Sequence, residues 1–330
     1  MRFALAGTAR FASWVLRDLV ELGRSPVLVI SQPDRPRGRG RRSSPPEAVC
    51  RARDVGIDCL QTEDINLPDV LDNLKACRAS TLVVAAFGQI FRRPLLDAVT
   101  CLNIHGSVLP KYRGPAPIER ALAAGEPVTG VSIMRVTERV DEGPLAQQIQ
   151  LSVSLRDDAG SLRRALAFLG AMAVGQVLDA IADGTVAWTE QSGTSSYAPK
   201  LSKADWILDT TAGARRVHDQ VRALSPYVGA QSILGGLETK VWRTWPYGQA
   251  GLSVLPTAAT SVAGVPGSVA AVGERLFLGC GEGAVEVLEI QPVDRQRMTA
   301  DAFVRGYGKR LADGSDSTRI RSRGGQGEEG

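Results

Sequence analysis

A few short, almost uninterrupted apolar runs constrain this chain more than anything else in it. Pro26-Val27-Leu28-Val29-Ile30 and Thr81-Leu82-Val83-Val84-Ala85-Ala86 do not alternate apolar with polar residues. A strand with one wet face would alternate; one that does not must be covered on both faces. Phe3-Ala4-Leu5-Ala6, ending at Gly7, is a third such run. Helical spacing lies between them: Phe11, Trp14, Val15, Leu19 and Leu22 can share one face. Further helices are expected over 46–55 and 67–77. Buried strands separated by helices imply a mostly parallel sheet with helices on both sides, an α/β fold.

The pattern continues with a strand at 101–104 and a helix at 115–124 stopped by Gly125. Strands follow at 128–136 and 145–153, then a long Ala- and Leu-rich helix at 161–181. A polar, small-residue stretch begins near 190. Past it come a helix ending at Ser225-Pro226 and short strand-like pieces between Gly- and Pro-rich turns, the pattern of a small β-barrel. At 330 residues the chain is long enough for two domains. The expected division is a first domain over 1–189, a linker over 190–208, a barrel domain over 209–310 and a disordered tail over 311–330.

Composition excludes several classes. Five Cys without paired spacing argue against a disulfide framework and fit a reducing cytoplasm. No Cys pair stands two residues apart, and the two His, at 105 and 218, are far apart, so no metal site is expected. No apolar run approaches the ~18 residues of a membrane span. His218, on a helix amid Arg216, Asp219 and Arg222, is expected at the surface.

Chemistry concentrates after the strand at 101–104. Residues two apart on a strand share a face, so Asn103 and His105 can point into one crevice at the carboxyl end of the sheet. A loop stiffened by Pro and Gly follows, Ser107-Val108-Leu109-Pro110 and then Lys111-Tyr112-Arg113-Gly114. Further on, Val140-Asp141-Glu142-Gly143-Pro144 makes a turn from which Asp141 could fold back on His105. Each residue also has a plain structural reading: a loop histidine, a turn aspartate, an asparagine capping its own backbone. Spacing alone leaves both readings standing.

A second feature is the loop at 31–46, too rich in Arg, Pro and Gly for strand or helix. Its core reads Arg35-Pro36-Arg37-Gly38-Arg39-Gly40-Arg41-Arg42, five positive charges on eight residues. Such a run is a solvated loop or an RNA clamp, since arginine pairs with phosphate and stacks on bases.

The literal string over 103–122, NIHGSVLPKYRGPAPIERAL, resembles the signature of the 10-formyltetrahydrofolate-dependent formyltransferases. The resemblance extends to Gly130-Val131-Ser132-Ile133-Met134, the Asp141 turn, Ser31-Gln32-Pro33-Asp34-Arg35-Pro36 and Tyr197-Ala198-Pro199-Lys200-Leu201-Ser202-Lys203. It reaches the second domain at Arg222-Ala223-Leu224-Ser225-Pro226 and Leu288-Glu289-Ile290-Gln291-Pro292. It implies a Rossmann-like catalytic domain followed by an OB-like barrel. It also implies a monomeric cytoplasmic enzyme, with no metal and no membrane, that uses 10-formyltetrahydrofolate as co-substrate.

By the same resemblance Asn103, His105 and Asp141 match catalytic positions, and Ser107, Val108, Leu109 and Pro110 line the folate. The arginine loop and the second domain point to the branch that formylates initiator methionyl-tRNA. There Arg35, Arg37, Arg39, Arg41 and Arg42 would meet the acceptor stem. An amino-sugar nucleotide formyltransferase is the alternative. Asn103 and His105 would donate to the oxygen that gains charge as an amine attacks the formyl carbon, His105 could also relay the amine's proton toward departing N10, and Asp141 would orient the ring and favour its protonated form. The chain departs from the family at Thr8-Ala9-Arg10-Phe11, at Thr100, at Pro226-Tyr227-Val228 and at Glu142, a second carboxylate beside Asp141.

Overall fold

A computed structural model describes residues 1–37 and 42–312. Arg39 and Arg41, and residues 313–330 of the expected tail, lie outside the described residues; Leu311 and Ala312, also expected in that tail, instead end a helix, with Leu311 packed on a hydrophobic core. The chain forms two compact units. The first comprises Met1–Ala121, Glu126–Leu155 and Ser161–Lys200; the second comprises Leu122–Gly125, Arg156–Gly160 and the chain from Leu201 onward.

The first unit is built on β1 (Phe3–Gly7), α1 (Arg10–Glu21), β2 (Leu28–Ser31), β3 (Arg35–Arg37), β4 (Arg42–Ser44), α2 (Glu47–Asp54), β5 (Cys59–Gln61) and α3 (Pro68–Ala76). Next come β6 (Thr81–Ala85), α4 (Arg93–Ala98), β7 (Thr100–His105), α5 (Pro117–Ala123), β8 (Val128–Arg135), β9 (Leu145–Ser152) and α6 (Ala159–Ala182). Seven strands form one sheet in the order β5-β2-β1-β6-β7-β8-β9. It is parallel from β5 to β7 and antiparallel across β8 and β9. The apolar runs are its middle: every residue of β1, β2 and β6 is buried. On one face Ala4, Ala6, Leu28, Ile30, Leu82, Val84 and Cys101 pack with Val70 and Leu74 of α3 and Leu95 of α4. Helix α6 covers the other face and comes so close that a Cβ on Gly170 would lie 2.5 Å from Ile104 Cγ2.

Two expectations need correction here. The loop at 31–46 is not free of strands: β3 and β4 pair as an antiparallel ribbon, Arg35 opposite Ser44 and Arg37 opposite Arg42. Pro36 is compatible because both strands of a two-stranded ribbon are edges, where a missing N–H costs no ladder bond. Secondly, α6 contains an 18-residue window with mean hydropathy 1.8, long and apolar enough for a membrane span. Half of that window is buried, with Leu162, Leu166, Ala171, Val174 and Leu178 in the protein core. A helix laid on a two-sided sheet has the same composition as a spanning one.

The second unit carries α7 (Ala214–Leu224), β10 (Ala230–Leu234), β11 (Leu237–Tyr247), β12 (Val269–Val272), β13 (Arg275–Gly279), β14 (Ala284–Pro292), β15 (Met298–Thr299) and α8 (Ala300–Ala312). Its sheet is antiparallel, in the order β10-β11-β14-β13-β12, with β15 on β14. Val217, Val221 and Leu224 of α7 and Phe303 of α8 close its core. His218 is not at the surface. It is buried on the inner face of α7, with Nδ1 2.9 Å from Thr244 Oγ1 and its ring edge-on to Trp245. The Thr244 hydroxyl supplies the partner without which a buried imidazole would be costly. All five Cys are free thiols.

Candidate active site

Asn103 and His105 end β7 on one face, opposite Met134 and Ser132 of β8. The Asp141 turn follows β8 and brings its carboxylate back to both. Asn103 Nδ2 donates to Asp141 Oδ1 at 3.4 Å, and His105 Nδ1 lies 3.6 Å from Asp141 Oδ2. The His105 and Asp141 side chains are only 6% and 11% exposed, so their interaction is poorly screened by water. The three candidate catalytic residues therefore meet.

The loop after His105 completes the cluster with backbone groups that sequence reading missed. His105 Nε2 lies 2.8 Å from the Tyr112 carbonyl. A carbonyl only accepts, so Nε2 carries the hydrogen and Nδ1 is the edge turned to Asp141. The Gly114 N–H donates to Asp141 Oδ2 at 2.8 Å. Tyr112 and Asp141 both take left-handed backbone, φ +60° and +54°, where non-glycine residues are strained. Strain of that kind persists only where surrounding contacts over-determine it.

Those contacts come from two directions. Buried Ser132, directly opposite His105, donates from Oγ to the Ser107 carbonyl at 2.7 Å and accepts from Leu109 N at 3.1 Å and Gln148 Nε2 at 2.8 Å. Gln148 also donates to the Leu109 carbonyl at 2.9 Å. From the other side, the stretch 191–198, read from sequence as linker, pairs along the loop. Arg113 N donates to Ser196 O at 2.9 Å, Ala198 N to Arg113 O at 2.6 Å, and Tyr112 N to Ser196 Oγ at 2.9 Å. The sequence offered one signal for Ser132, a hydroxyl inside the buried run Val131-Ser132-Ile133. It offered none for the partners of 191–198.

Of the candidate folate-lining residues, Ser107 and Leu109 are buried, and Ser107 Oγ donates to Lys111 O at 2.6 Å. Val108, Leu109 and Pro110 border a cavity of about 420 Å³ that also touches Tyr112, Glu126 and Gln150. Asn103, His105 and Asp141 are not among the residues that line it, although Tyr112, whose carbonyl meets His105, is. Burial and the neighbouring Glu126 carboxylate push the Tyr112 phenol well above its ordinary range, so it is a hydrogen-bond donor to Glu126. Glu142 pairs with Arg113 at 3.1 Å and Arg139 at 3.6 Å, which turns its charge outward. In the arginine ribbon, Arg35 pairs with Glu63 at 3.2 Å, both largely exposed. Among the described residues no group of three His, Cys, Asp or Glu gathers as metal ligands would.

Residues 1–178 match the family model described as formyl transferase, and residues 200–308 match the formyl transferase C-terminal domain. The methionyl-tRNA formyltransferase of Rubrobacter xylanophilus is 43% identical over 310 residues, covering 93% of this chain and 97% of that protein. That of Geobacter sulfurreducens is 34% identical over 311 residues, covering 93% and 94%. Among solved structures, HypX from Aquifex aeolicus in complex with tetrahydrofolic acid aligns with TM-score 0.62 at 17% identity, over 97% of this chain and 51% of that one. An N-formyltransferase from Helicobacter canadensis, in complex with folinic acid and dTDP-3-aminofucose, aligns with TM-score 0.61 at 16% identity, over 88% and 99%. At such identities the two structures establish a shared fold.

Proposed function

The chain belongs to the formyl transferase family, and on that premise we propose that it moves the formyl group of 10-formyltetrahydrofolate to the free α-amino group of initiator methionyl-tRNA. The product is the N-formylated aminoacyl-tRNA that begins translation in the cytoplasm. One observation carries the reading. Asn103, His105 and Asp141 meet at the end of β7, with the Asp141 carboxylate 3.4 Å from Asn103 Nδ2 and 3.6 Å from His105 Nδ1. They do so in a chain that aligns over 93% of its length with proteins named for this reaction.

The amine attacks the formyl carbon, whose oxygen gains negative charge. Asn103 Nδ2 has two hydrogens and gives one to Asp141, so the second can be donated to that oxygen. Loss of one such donor raises a barrier by on the order of 2.7–4 kcal/mol. Because His105 Nε2 already donates to Tyr112, the ring acts through Nδ1. Nδ1 takes the proton shed by the attacking amine, and the adjacent Asp141 carboxylate stabilises the imidazolium. The same proton then passes to N10 as the C–N bond to the folate breaks. One N–C bond forms, one breaks, and one proton moves from amine to N10.

Ser107, Val108, Leu109 and Pro110, held by Ser132 and Gln148, line the folate. Arg35, Arg37, Arg39, Arg41 and Arg42 meet the phosphates of the acceptor stem. The exposed Arg35–Glu63 pair holds weakly enough to yield to phosphate.

The direct test is formyl transfer from 10-formyltetrahydrofolate to charged initiator tRNA, beside charged elongator tRNA, free methionine and an amino-sugar nucleotide. Initiator tRNA should be the preferred acceptor; preference for the sugar nucleotide overturns the assignment. His105→Ala should lower turnover about 10²–10⁴-fold and still bind the folate. Wild-type turnover in that variant removes His105 from the mechanism.

A further inference from the structure

Resting on that reading of the site, we infer that Gln191 is a positioning residue for the transfer. It acts on Asp141 through the backbone of the turn that carries it. Gln191 Nε2 donates to the Asp141 carbonyl at 2.8 Å and to the Gly143 carbonyl at 2.9 Å. Its Oε1 accepts from Arg113 Nε at 3.2 Å and Nη2 at 2.8 Å. An amide has two N–H donors and a carbonyl oxygen with two lone pairs, and here all four are used. Arg113 Nη1 then reaches Glu142 Oε1 at 3.1 Å. One side chain thus grips residues 141 and 143 directly and residue 142 through Arg113.

The grip has a purpose that stability alone does not explain. Asp141 sits at φ +54°, and an aspartate there relaxes unless it is held. If its backbone turns, Oδ2 leaves both the Gly114 N–H, at 2.8 Å, and His105 Nδ1, at 3.6 Å. Arg113, the other end of the clamp, lies between Tyr112, whose carbonyl holds His105, and Gly114, whose N–H holds Asp141. Gln191 therefore locks together the two chain segments whose relative placement sets the histidine–carboxylate pair. On its far side the turn lies close against the Arg135 backbone, where a Cβ at Gly143 would lie 1.8 Å from the Arg135 carbonyl oxygen. Glu142 belongs to the same device, since it gives Arg113 its second anchor.

Gln191→Glu is the decisive variant. It keeps the shape and the acceptors for Arg113 but loses both hydrogens given to the turn. Gln191→Met removes donors and acceptors together. In both, kcat should fall about tenfold or more, as small misplacements of reacting groups do. KM for 10-formyltetrahydrofolate should stay within about twofold and the thermal midpoint should not drop, the signature of altered geometry with intact binding. Wild-type kcat in Gln191→Glu overturns the inference. So does a loss of kcat accompanied by a raised KM and a lowered midpoint, which marks a merely structural residue. His105→Ala is measured alongside. If that variant turns over like wild type, the reading of the site fails. If it is disabled while both Gln191 variants are not, the positioning role alone fails.

Discussion

Cys101 lies two residues before Asn103 on the same face of β7, yet its surroundings make it chemically quiet. Burial pushes its thiol up from an ordinary 9.0 to about 12, and burial does the same to Cys280. Both stay protonated in the folded protein at neutral pH. At about pH 8 a thiol reagent should label exposed Cys50 and spare Cys101 and Cys280 until the chain unfolds; modification of Cys101 in the native state contradicts this. The same shift has a consequence for stability. In the unfolded chain these thiols ionise near 9.0, while in the fold they hold their protons to about 12. The unfolded state therefore binds fewer protons between those values, and stability falls as pH rises through that window. The denaturant midpoint should decline there, with a shallower decline in Cys280→Ala.

Helix α6 and strand β7 are the pair of elements on which the site leans. Ile104 sits between Asn103 and His105, and Gly170 leaves it room. Gly170→Ala must move Ile104 or the helix, an overpacking that costs about 1–3 kcal/mol. A lower thermal midpoint together with reduced kcat is expected, and an unaltered kcat means that β7 absorbs the change without tilting its functional side chains. The elements themselves were largely legible in the sequence. Uninterrupted apolar runs announced β1, β2 and β6, and the residue pair Asn103/His105 pointed to the candidate site. What escaped had physical reasons. Helix α8 places Phe303, Val304, Tyr307 and Leu311 on the core of the second unit, but Gly306 and Gly308 disguise it as loop. Strands β3 and β4 are too short and polar to show a period. The stretch 191–198 pairs with the 110–116 loop partly through backbone groups of Ser196 and Ala198, and backbone pairing leaves no mark on composition.

For the whole molecule, the net charge of +4 conceals where the charge lies. The second unit is nearly balanced, whereas five positive charges stand close in sequence at Arg35, Arg37, Arg39, Arg41 and Arg42. Binding of charged tRNA should weaken steeply with salt. Arg39→Ala should lower turnover of charged tRNA and reduce the salt slope by about one, with folate affinity unchanged. An unchanged slope and unchanged tRNA kinetics exclude that arginine from the contact.

The docking of 191–198 along residues 110–116 also bears on how the protein is made. A nascent chain that has emerged only to residue 189 already contains all seven strands of the first sheet and all three candidate catalytic side chains. It still lacks Ser196 and Ala198, which hold the 110–116 loop, and Gln191, which joins that loop to the Asp141 turn. Competence therefore arrives late in synthesis, with a stretch of about ten residues that carries none of the chemistry. A fragment that ends with α6 would hold every strand of the sheet and all three candidate catalytic side chains, yet lack the clamp between the turn and the loop.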